Sequence, residues 1–326
     1  MPASKRHDRI LVIKLGALGD FIYAVGPMQA IRRHHPDAEI TLLTRPAYAE
    51  LGERTGLFDA VWTDSEPKLW NLPGLLALRA RLVGGRFGRV YDLQTSDRTG
   101  FYHRLFWPGK APEWSGIVPG GGLYHHYQRP TLIHTQDRQR TQLRIAGIED
   151  VRPSDLSFMQ SDIARFGLPE RFALLIPGSS LKMAVKRWPA ESYGAIATWL
   201  ESENIRPVLI GGAEDKDPLE IIRGLCPSAR DLSGETSLYD LPELARAACL
   251  AIGNDTGPMH IAALAGCPTV AIFSTASFPA KAAPRGKNVR LLVAENLAEL
   301  PAELVRDAAE QMIGTALDPA GYDTQA

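Results

Sequence analysis

Three short segments carry glycines, hydroxyls and charges in an order that can do chemistry. Lys14-Leu15-Gly16-Ala17-Leu18-Gly19-Asp20 sets a carboxylate directly behind a glycine turn. Asp20 reads there in two ways: as a general base, or as a helix N-cap whose carboxylate accepts backbone N–H bonds. Pro177-Gly178-Ser179-Ser180 leads through Lys182 to Lys186-Arg187-Trp188-Pro189. Small hydroxyl residues and open amides followed by cations suit a phosphate, and Pro189 suits the first turn of a following helix, leaving Lys186 and Arg187 on the loop. The plain alternative is a solvated basic loop that Trp188 anchors to the core. Gly253-Asn254-Asp255-Thr256-Gly257-Pro258-Met259-His260 opens onto the small-residue run Ile261 to Gly266. Amides and dipole at such a helix start favour an anion. The alanines alone mean close packing, but Asp255 and His260 need another explanation.

A weaker fourth signal is Gly211-Gly212-Ala213-Glu214, a carboxylate placed to accept hydrogen bonds from a ribose diol. By itself Glu214-Asp215-Lys216-Asp217 reads equally well as a charged surface turn. The first segment lacks the close Gly-x-Gly pair through which backbone approaches a pyrophosphate, so a nicotinamide cofactor is disfavoured. Arg45, Arg98, Arg138 and Arg144 could grip an anionic acceptor through bidentate contacts, or lie on the surface as arginines mostly do.

The elements that must position these residues alternate. Ile10 to Leu15 is a continuous apolar run, as a parallel strand buried on both faces should be, and a helix is predicted from about Phe21 to His34. Strands at 40–43, 60–63 and 89–93 then alternate with helices at 47–54 and 75–83, which predicts a doubly wound α/β domain. The stretch 108–128, rich in Gly, Pro and aromatics, reads as long loops. Helical spacing returns over 131–148 and is broken at Arg152-Pro153-Ser154-Asp155. A second series follows: strands at 172–176, 207–210, 250–252 and 269–273, with helices at 190–203, 218–225, 238–248 and 258–265. A last amphipathic helix covers 301–313, and the polar tail from Asp318 to Ala326 is expected to fray.

Composition narrows the function classes. A chain of 326 residues, 45% hydrophobic, has enough apolar content for two cores of ordinary size. Thirty-six basic against 37 acidic residues leave a net charge of -1, so no global field draws the chain to nucleic acid, and any basic site is local. Cys226, Cys249 and Cys267 have no metal-ligand spacing and fit a reduced, cytoplasmic setting. The apolar run after the basic N-terminus is too short for a signal core or a membrane span, so contact with a membrane is expected to be peripheral at most.

Taken together and in this order, Gly16-Ala17-Leu18-Gly19-Asp20, Pro177-Gly178-Ser179-Ser180 with Lys186-Arg187-Trp188-Pro189, Gly211-Gly212-Ala213-Glu214 and Asn254 to His260 resemble the heptosyltransferases, glycosyltransferase family nine. The resemblance runs from Ile10 to about Pro284. It implies a GT-B architecture of two facing Rossmann-like domains with parallel sheets. The acceptor domain would span 1–155 and the donor domain 156–326, the last helix being open to packing back on the first. It implies an inverting, metal-independent transfer, most simply of heptose from ADP-heptose, onto a lipopolysaccharide-core or related saccharide on the cytoplasmic face of the inner membrane. The nucleotide sugar is then a co-substrate, and neither a further cofactor nor a metal is expected.

By the same resemblance Asp20 is the general base and Lys186 stabilises the leaving diphosphate. Gly19, Ser179, Ser180, Thr256 and Gly257 serve the donor with Glu214 on its ribose, and Asp255 and His260 line its pocket. Arg45, Arg98, Arg138 and Arg144 are candidates for the acceptor. Competing readings are a nucleotide-sugar epimerase of GT-B fold, a non-catalytic nucleotide-sugar-binding protein and, least well supported, a nicotinamide-dependent oxidoreductase.

Overall fold

The structure, a computed structural model, describes residues 8–126, 132–179 and 186–317. Ser180, Lys182 and the tail from Asp318 to Ala326 lie outside the described residues. The chain divides into two compact units, Met1–Phe158 and Met159–Ala326.

The first unit runs β1 (Arg9–Ile13), α1 (Leu18–His34), β2 (Glu39–Thr44), α2 (Ala49–Arg54), β3 (Ala60–Thr63), α3 (Leu72–Gly84), β4 (Arg89–Asp92), α4 (Asp97–Arg104), β5 (Glu113–Gly116), β6 (Gly122–Tyr124) and α5 (Thr135–Ile145). Its sheet has the order β3-β2-β1-β4-β5-β6, with every pair parallel. β1 is central, registered Arg9↔Glu39 to Ile13↔Leu43 on one side and Ile10↔Arg89 to Ile13↔Asp92 on the other. A strand covered on both faces has no polar side to alternate, which is why Ile10-Leu11-Val12-Ile13 is apolar throughout and buried.

The second unit repeats the winding with β7 (Phe172–Ile176), α6 (Ala190–Ser202), β8 (Arg206–Leu209), α7 (Lys216–Leu225), β9 (Arg230–Asp231), α8 (Asp240–Ala247), β10 (Leu250–Asn254), α9 (Gly257–Ala265), β11 (Thr269–Ser274), α10 (Pro279–Ala282), β12 (Val289–Ala294) and α11 (Ala302–Leu317). The order is β12-β11-β10-β7-β8-β9, again all parallel. α11 packs on α6 and on β10, β11 and β12 of its own unit, burying Val305, Ala308 and Ala309 in the core that holds Trp188. Among the described residues no helix is long and apolar enough to cross a membrane.

Strand order reverses between β1 and β4 in one sheet and between β7 and β10 in the other. Loops leaving the carboxyl ends of the two strands at such a point diverge to opposite faces and open a crevice for ligands. The turns singled out at Lys14 to Asp20, Pro177 to Ser179 and Asn254 to Gly257 all leave these strands.

Several sequence expectations need correction. α1 begins at Leu18, three residues earlier than predicted, so Gly19 and Asp20 stand inside the helix rather than on the turn before it. β5 and β6 occupy the stretch read as loops, since pairing of β5 to β4 and of β6 to β5, and not their own glycine-rich sequence, makes them strands. α4, β9 and β12 were also not foreseen. α3 starts at Leu72, where the Asn71 side chain accepts the Gly74 N–H as a cap. The break at Arg152 to Asp155 straps α1: Ser154 Oγ accepts from Gly26 N at 2.9 Å and donates to Ile22 O at 2.6 Å.

Candidate functional site

The second unit assembles its site around Asn254, the last residue of β10, which is fully buried. Its Nδ2 donates to Pro177 O at 2.6 Å, and its Oδ1 accepts the Trp188 N–H at 3.1 Å. One amide thus joins the ends of β7 and β10 to the segment entering α6. Trp188 completes the anchor: its Nε1 donates to Leu300 O at 3.0 Å, and its ring meets Tyr193 edge-on at 4.9 Å. The sequence motif contained Asn254 but gave no reason for it.

That anchor brings the preceding cations over the crevice. Lys186 Nζ is 2.5 Å from Asp255 Oδ2, and Ser179 Oγ donates to Asp255 O at 3.1 Å. Arg187 donates through Nη2 to Ser179 O at 2.5 Å and to Asp215 Oδ1 at 3.0 Å, while Asp215 Oδ2 accepts the Gly212 N–H at 3.1 Å. Asp215, expected on a charged surface turn, is therefore buried and bridges two loops, because Arg187 compensates its charge. The fit requires glycine at 178, where a Cβ would lie 2.4 Å from Asp215 Oδ2. Arg187 Nε is buried with no hydrogen-bond partner among the described residues.

Thr256 is the N-cap of α9, extended at φ -153° and ψ 158°, and its side chain makes no capping bond. The first-turn amides of α9, around Thr256 and Gly257, therefore keep donors for a ligand oxygen. His260 is buried in the first turn of that helix. Glu214 sits on a single turn, Ala213–Asp215, after β8, exposed and with its carboxylate lying against Gly212. The structure thus gathers Ser179, Lys186, Asp255, Thr256, Gly257 and His260 at the β7/β10 crevice, with Glu214 after the adjoining strand.

In the first unit the crevice between β1 and β4 is laced by Leu15 N donating to Gln94 Oε1 at 3.0 Å and Gln94 N donating to Ile13 O at 3.1 Å. Gly16, at φ +123°, leaves no room for a side chain: a Cβ would fall 2.4 Å from Tyr48 Cε2. The Tyr48 ring stacks on Phe21 of α1 at 5.5 Å. The cap position of α1 is Ala17, which forms no side-chain bond, so Asp20 does not cap the helix. It stands half-buried in the first turn, with its carboxylate not spent on a cap.

Two further charged residues, not picked out as site residues from the sequence, lie in this crevice. Asp92 ends β4 fully buried; its Oδ1 accepts from Gln94 N at 3.1 Å and Thr95 N at 2.9 Å, while Oδ2 is unpartnered among the described residues. Burial pushes its carboxyl up to about 6, against the pull of hydrogen bonds from Thr95, Thr99 and Gln94 and of the Lys14 charge. Lys14 is buried at the end of β1, and desolvation lowers its ammonium pKa although Asp20 and Asp92 favour the charge. The signal that could have found both is a charged residue closing an otherwise apolar central strand, where a charge is costly without a partner.

The four arginines divide. Arg45 Nε lies 2.6 Å from Glu66 Oε2 and Arg98 Nε 3.6 Å from Glu66 Oε1, so both meet at the loop after β3. Arg138, in the first turn of α5, donates to Thr95 Oγ1 at the end of β4. Arg144 is exposed in the last turn of α5, away from the crevice end of that helix, and does not join them.

The family model described as glycosyltransferase family 9 (heptosyltransferase) matches residues 128–312. The chain is 32% identical over 313 residues to lipopolysaccharide heptosyltransferase 2 of Salmonella typhimurium, covering 82% of this chain and 83% of that protein. Among solved structures it resembles a glycosyl transferase family 9 protein from Veillonella parvula, with TM-score 0.78, 23% identity and coverage of 94% and 97%. It also resembles the ADP-heptose LPS heptosyltransferase II of E. coli, with TM-score 0.75, 20% identity and coverage of 95% and 99%. Two six-stranded parallel sheets wrapped by helices are common to these folds, in agreement with the GT-B architecture expected from the sequence.

Proposed function

The chain belongs to glycosyltransferase family 9, the heptosyltransferases, and from that premise we propose that it moves a heptose from ADP-heptose onto a lipopolysaccharide-core saccharide, inverting the anomeric centre. The observation that carries the reading is the cation pair Lys186 and Arg187, held at the β7/β10 crevice beside the open start of α9. A nucleoside diphosphate asks for this combination of partly shielded cations, backbone donors and a helix dipole.

In this reading the acceptor hydroxyl attacks the anomeric carbon, Asp20 takes its proton, and the bond from that carbon to the diphosphate oxygen breaks, releasing ADP. Lys186, the first-turn amides of α9 and Ser179 meet the charge that grows on the leaving group, so the step is assigned to the protein's own donors without a metal. Glu214 accepts the ribose hydroxyls. Asp255 holds Lys186 in place until the diphosphate arrives, and His260 closes the pocket behind it. Arg45, Arg98 and Arg138 face an anionic acceptor. ADP as the nucleotide is supported by the name of the E. coli structural relative and by family membership.

Calorimetry of the purified chain, in chelator, against ADP, ADP-heptose, UDP, a UDP-sugar and NAD tests the reading. Binding of ADP and ADP-heptose is expected. A preference for uridine compounds would replace the donor, and binding of NAD alone would overturn the proposal.

A further inference from the structure

The first unit exposes large apolar side chains in one place. Leu69 (68% exposed) and Trp70 (79%) precede α3, and Leu72 (65%) and Leu76 (62%) rise along it. Trp107 (78%), after α4, is tied to the same helix by Arg79 Nη2 donating to its carbonyl at 3.1 Å. α3 is apolar on two faces. Leu78 and Leu82 point into the core, while Leu72 and Leu76, one turn apart, stand on the other side with Val83 farther along. A single exposed leucine means little, but two tryptophans and three leucines together exceed what a solvated surface carries without a partner.

The charge within this patch is mostly of one sign. From Pro67 to Gly88 the sequence holds Lys68, Arg79, Arg81 and Arg86 and no Asp or Glu; from Arg98 to Pro112 it holds Arg98, Arg104 and Lys110, again with no acid. Lys68, Arg104 and Lys110 are exposed, and Lys68 Nζ lies 5.1 Å from the Trp70 ring centroid. Of the acids that border these stretches, Glu66 is paired with Arg45 and Arg98, Glu113 is paired with Arg89, and Asp97 stands in the first turn of α4. Tryptophan and leucine flanked mainly by cations match the two layers of a bilayer surface, apolar below and anionic at the headgroups. An anionic bilayer supplies both features at once.

We propose that this face, Lys68 to Leu76 with Trp107, docks the chain on an anionic lipid bilayer. It begins one residue after Pro67, whose carbonyl accepts from Arg98 Nη1 at 3.3 Å, so docking sets Arg98, and Arg45 which shares Glu66 with it, beside the membrane plane. The inference stands apart from the donor and acceptor assignments, because vesicle binding is measured without turnover.

The test is co-sedimentation of the full chain with vesicles of phosphatidylglycerol and phosphatidylethanolamine, against phosphatidylcholine alone, at low and high salt. The wild type should pellet with the anionic vesicles and release as salt rises. The double variant Trp70→Ser/Trp107→Ser, with an unchanged circular dichroism spectrum, should lose about tenfold or more in partitioning. Lys68→Gln and Lys110→Gln should each lose about fivefold. Wild type that stays in solution, or a double variant that pellets like wild type, overturns the proposal. So does a self-associated wild type that the double variant renders monomeric, since a second copy would then be the occupant.

Discussion

Lys186 Nζ and Asp255 Oδ2 lie 2.5 Å apart, on two loops that leave neighbouring strands of one sheet, and both side chains are largely shielded from water. A lysine destined for a diphosphate would wander if left alone. Asp255 fixes it, and an arriving phosphate must compete with that carboxylate. Lys186→Ala should therefore lower kcat by about a hundredfold or more, the size of a lost donor to a developing charge. Asp255→Asn should lower it less, and the two changes should couple by about 0.5 to 3 kcal/mol in a double-mutant cycle. Steady-state kinetics on the four proteins measure this; strictly additive effects would mean that the pair does not work as a unit.

Asp20 sits one turn into α1 while Ala17 holds the cap position without a side-chain bond. Its replacement should thus cost turnover and not stability. Asp20→Asn is expected to lower kcat by about 10² to 10⁴, the range of a lost general base, with the donor Kd unchanged. The melting transition should move little, by the loss of a helix-dipole contact of about 0.3 to 1 kcal/mol and of one of the two carboxylates that face Lys14, Asp92 remaining as the other. A turnover loss under tenfold removes Asp20 from the proton transfer.

The alternation of strands and helices was legible because both sheets are parallel and covered, so strands such as Phe172–Ile176 are unbroken apolar runs that cannot be mistaken for turns. The last two strands of the first sheet, β5 and the edge strand β6, were not, since Glu113–Gly116 and Gly122–Tyr124 are short and become strands only by pairing. At the site, positions just after central strands were legible, because fold geometry sends ligands there. Side-chain partnerships were not: Asp215 and Arg187 are 28 residues apart, and nothing local says that this acid rather than Glu214 turns inward. Arg138 and Arg144 look alike in sequence, yet only the first meets the end of β4. Asp20 read as a cap only because the predicted helix began three residues late.

Asp215 gives a prediction on stability as well as binding. Asp215→Ala removes the carboxylate under Gly178 and leaves Arg187, one-fifth exposed, without its counter-charge. Breaking such a pair should cost about 2 to 3 kcal/mol, short of the value for a fully buried one because water reaches the guanidinium. Gly178→Ala should also weaken the donor site, by pushing the turn off Asp215. Urea melts and donor titrations check both. Full stability in Asp215→Ala would show that the bridge holds nothing.

Glu214 should behave in the opposite way. Exposed on its turn, it supports no core, so Glu214→Ala should leave stability within about 0.5 kcal/mol of wild type. If its carboxylate receives the ribose hydroxyls, the donor Kd should rise about tenfold, as for a hydrogen bond to a charged group. Calorimetry with ADP alone reads this without an acceptor, and an unchanged Kd returns Glu214 to the role of a surface turn.

The pH dependence of folding follows from Asp92. Its carboxyl titrates near 6 in the folded chain against an ordinary 3.8, burial being the main cause. The folded state therefore holds the proton more tightly than the unfolded one. The resulting stabilisation is complete below pH 4 and is lost as pH rises through 6, by at most about 3 kcal/mol. In Asp92→Asn the side-chain oxygen can still accept from Gln94 and Thr95, but no charge remains to be desolvated. Denaturant melts at pH 4.5, 6 and 7.5 should show wild type losing stability relative to Asp92→Asn at each step upward. The comparison cancels the titrating groups that do not face Asp92, including Asp240, whose carboxyl, despite its burial, is held at about 2 by hydrogen bonds from Arg165 and Ser237. Parallel profiles for the two proteins would mean that Asp92 keeps its charge in the crevice, with Lys14 as the compensating cation.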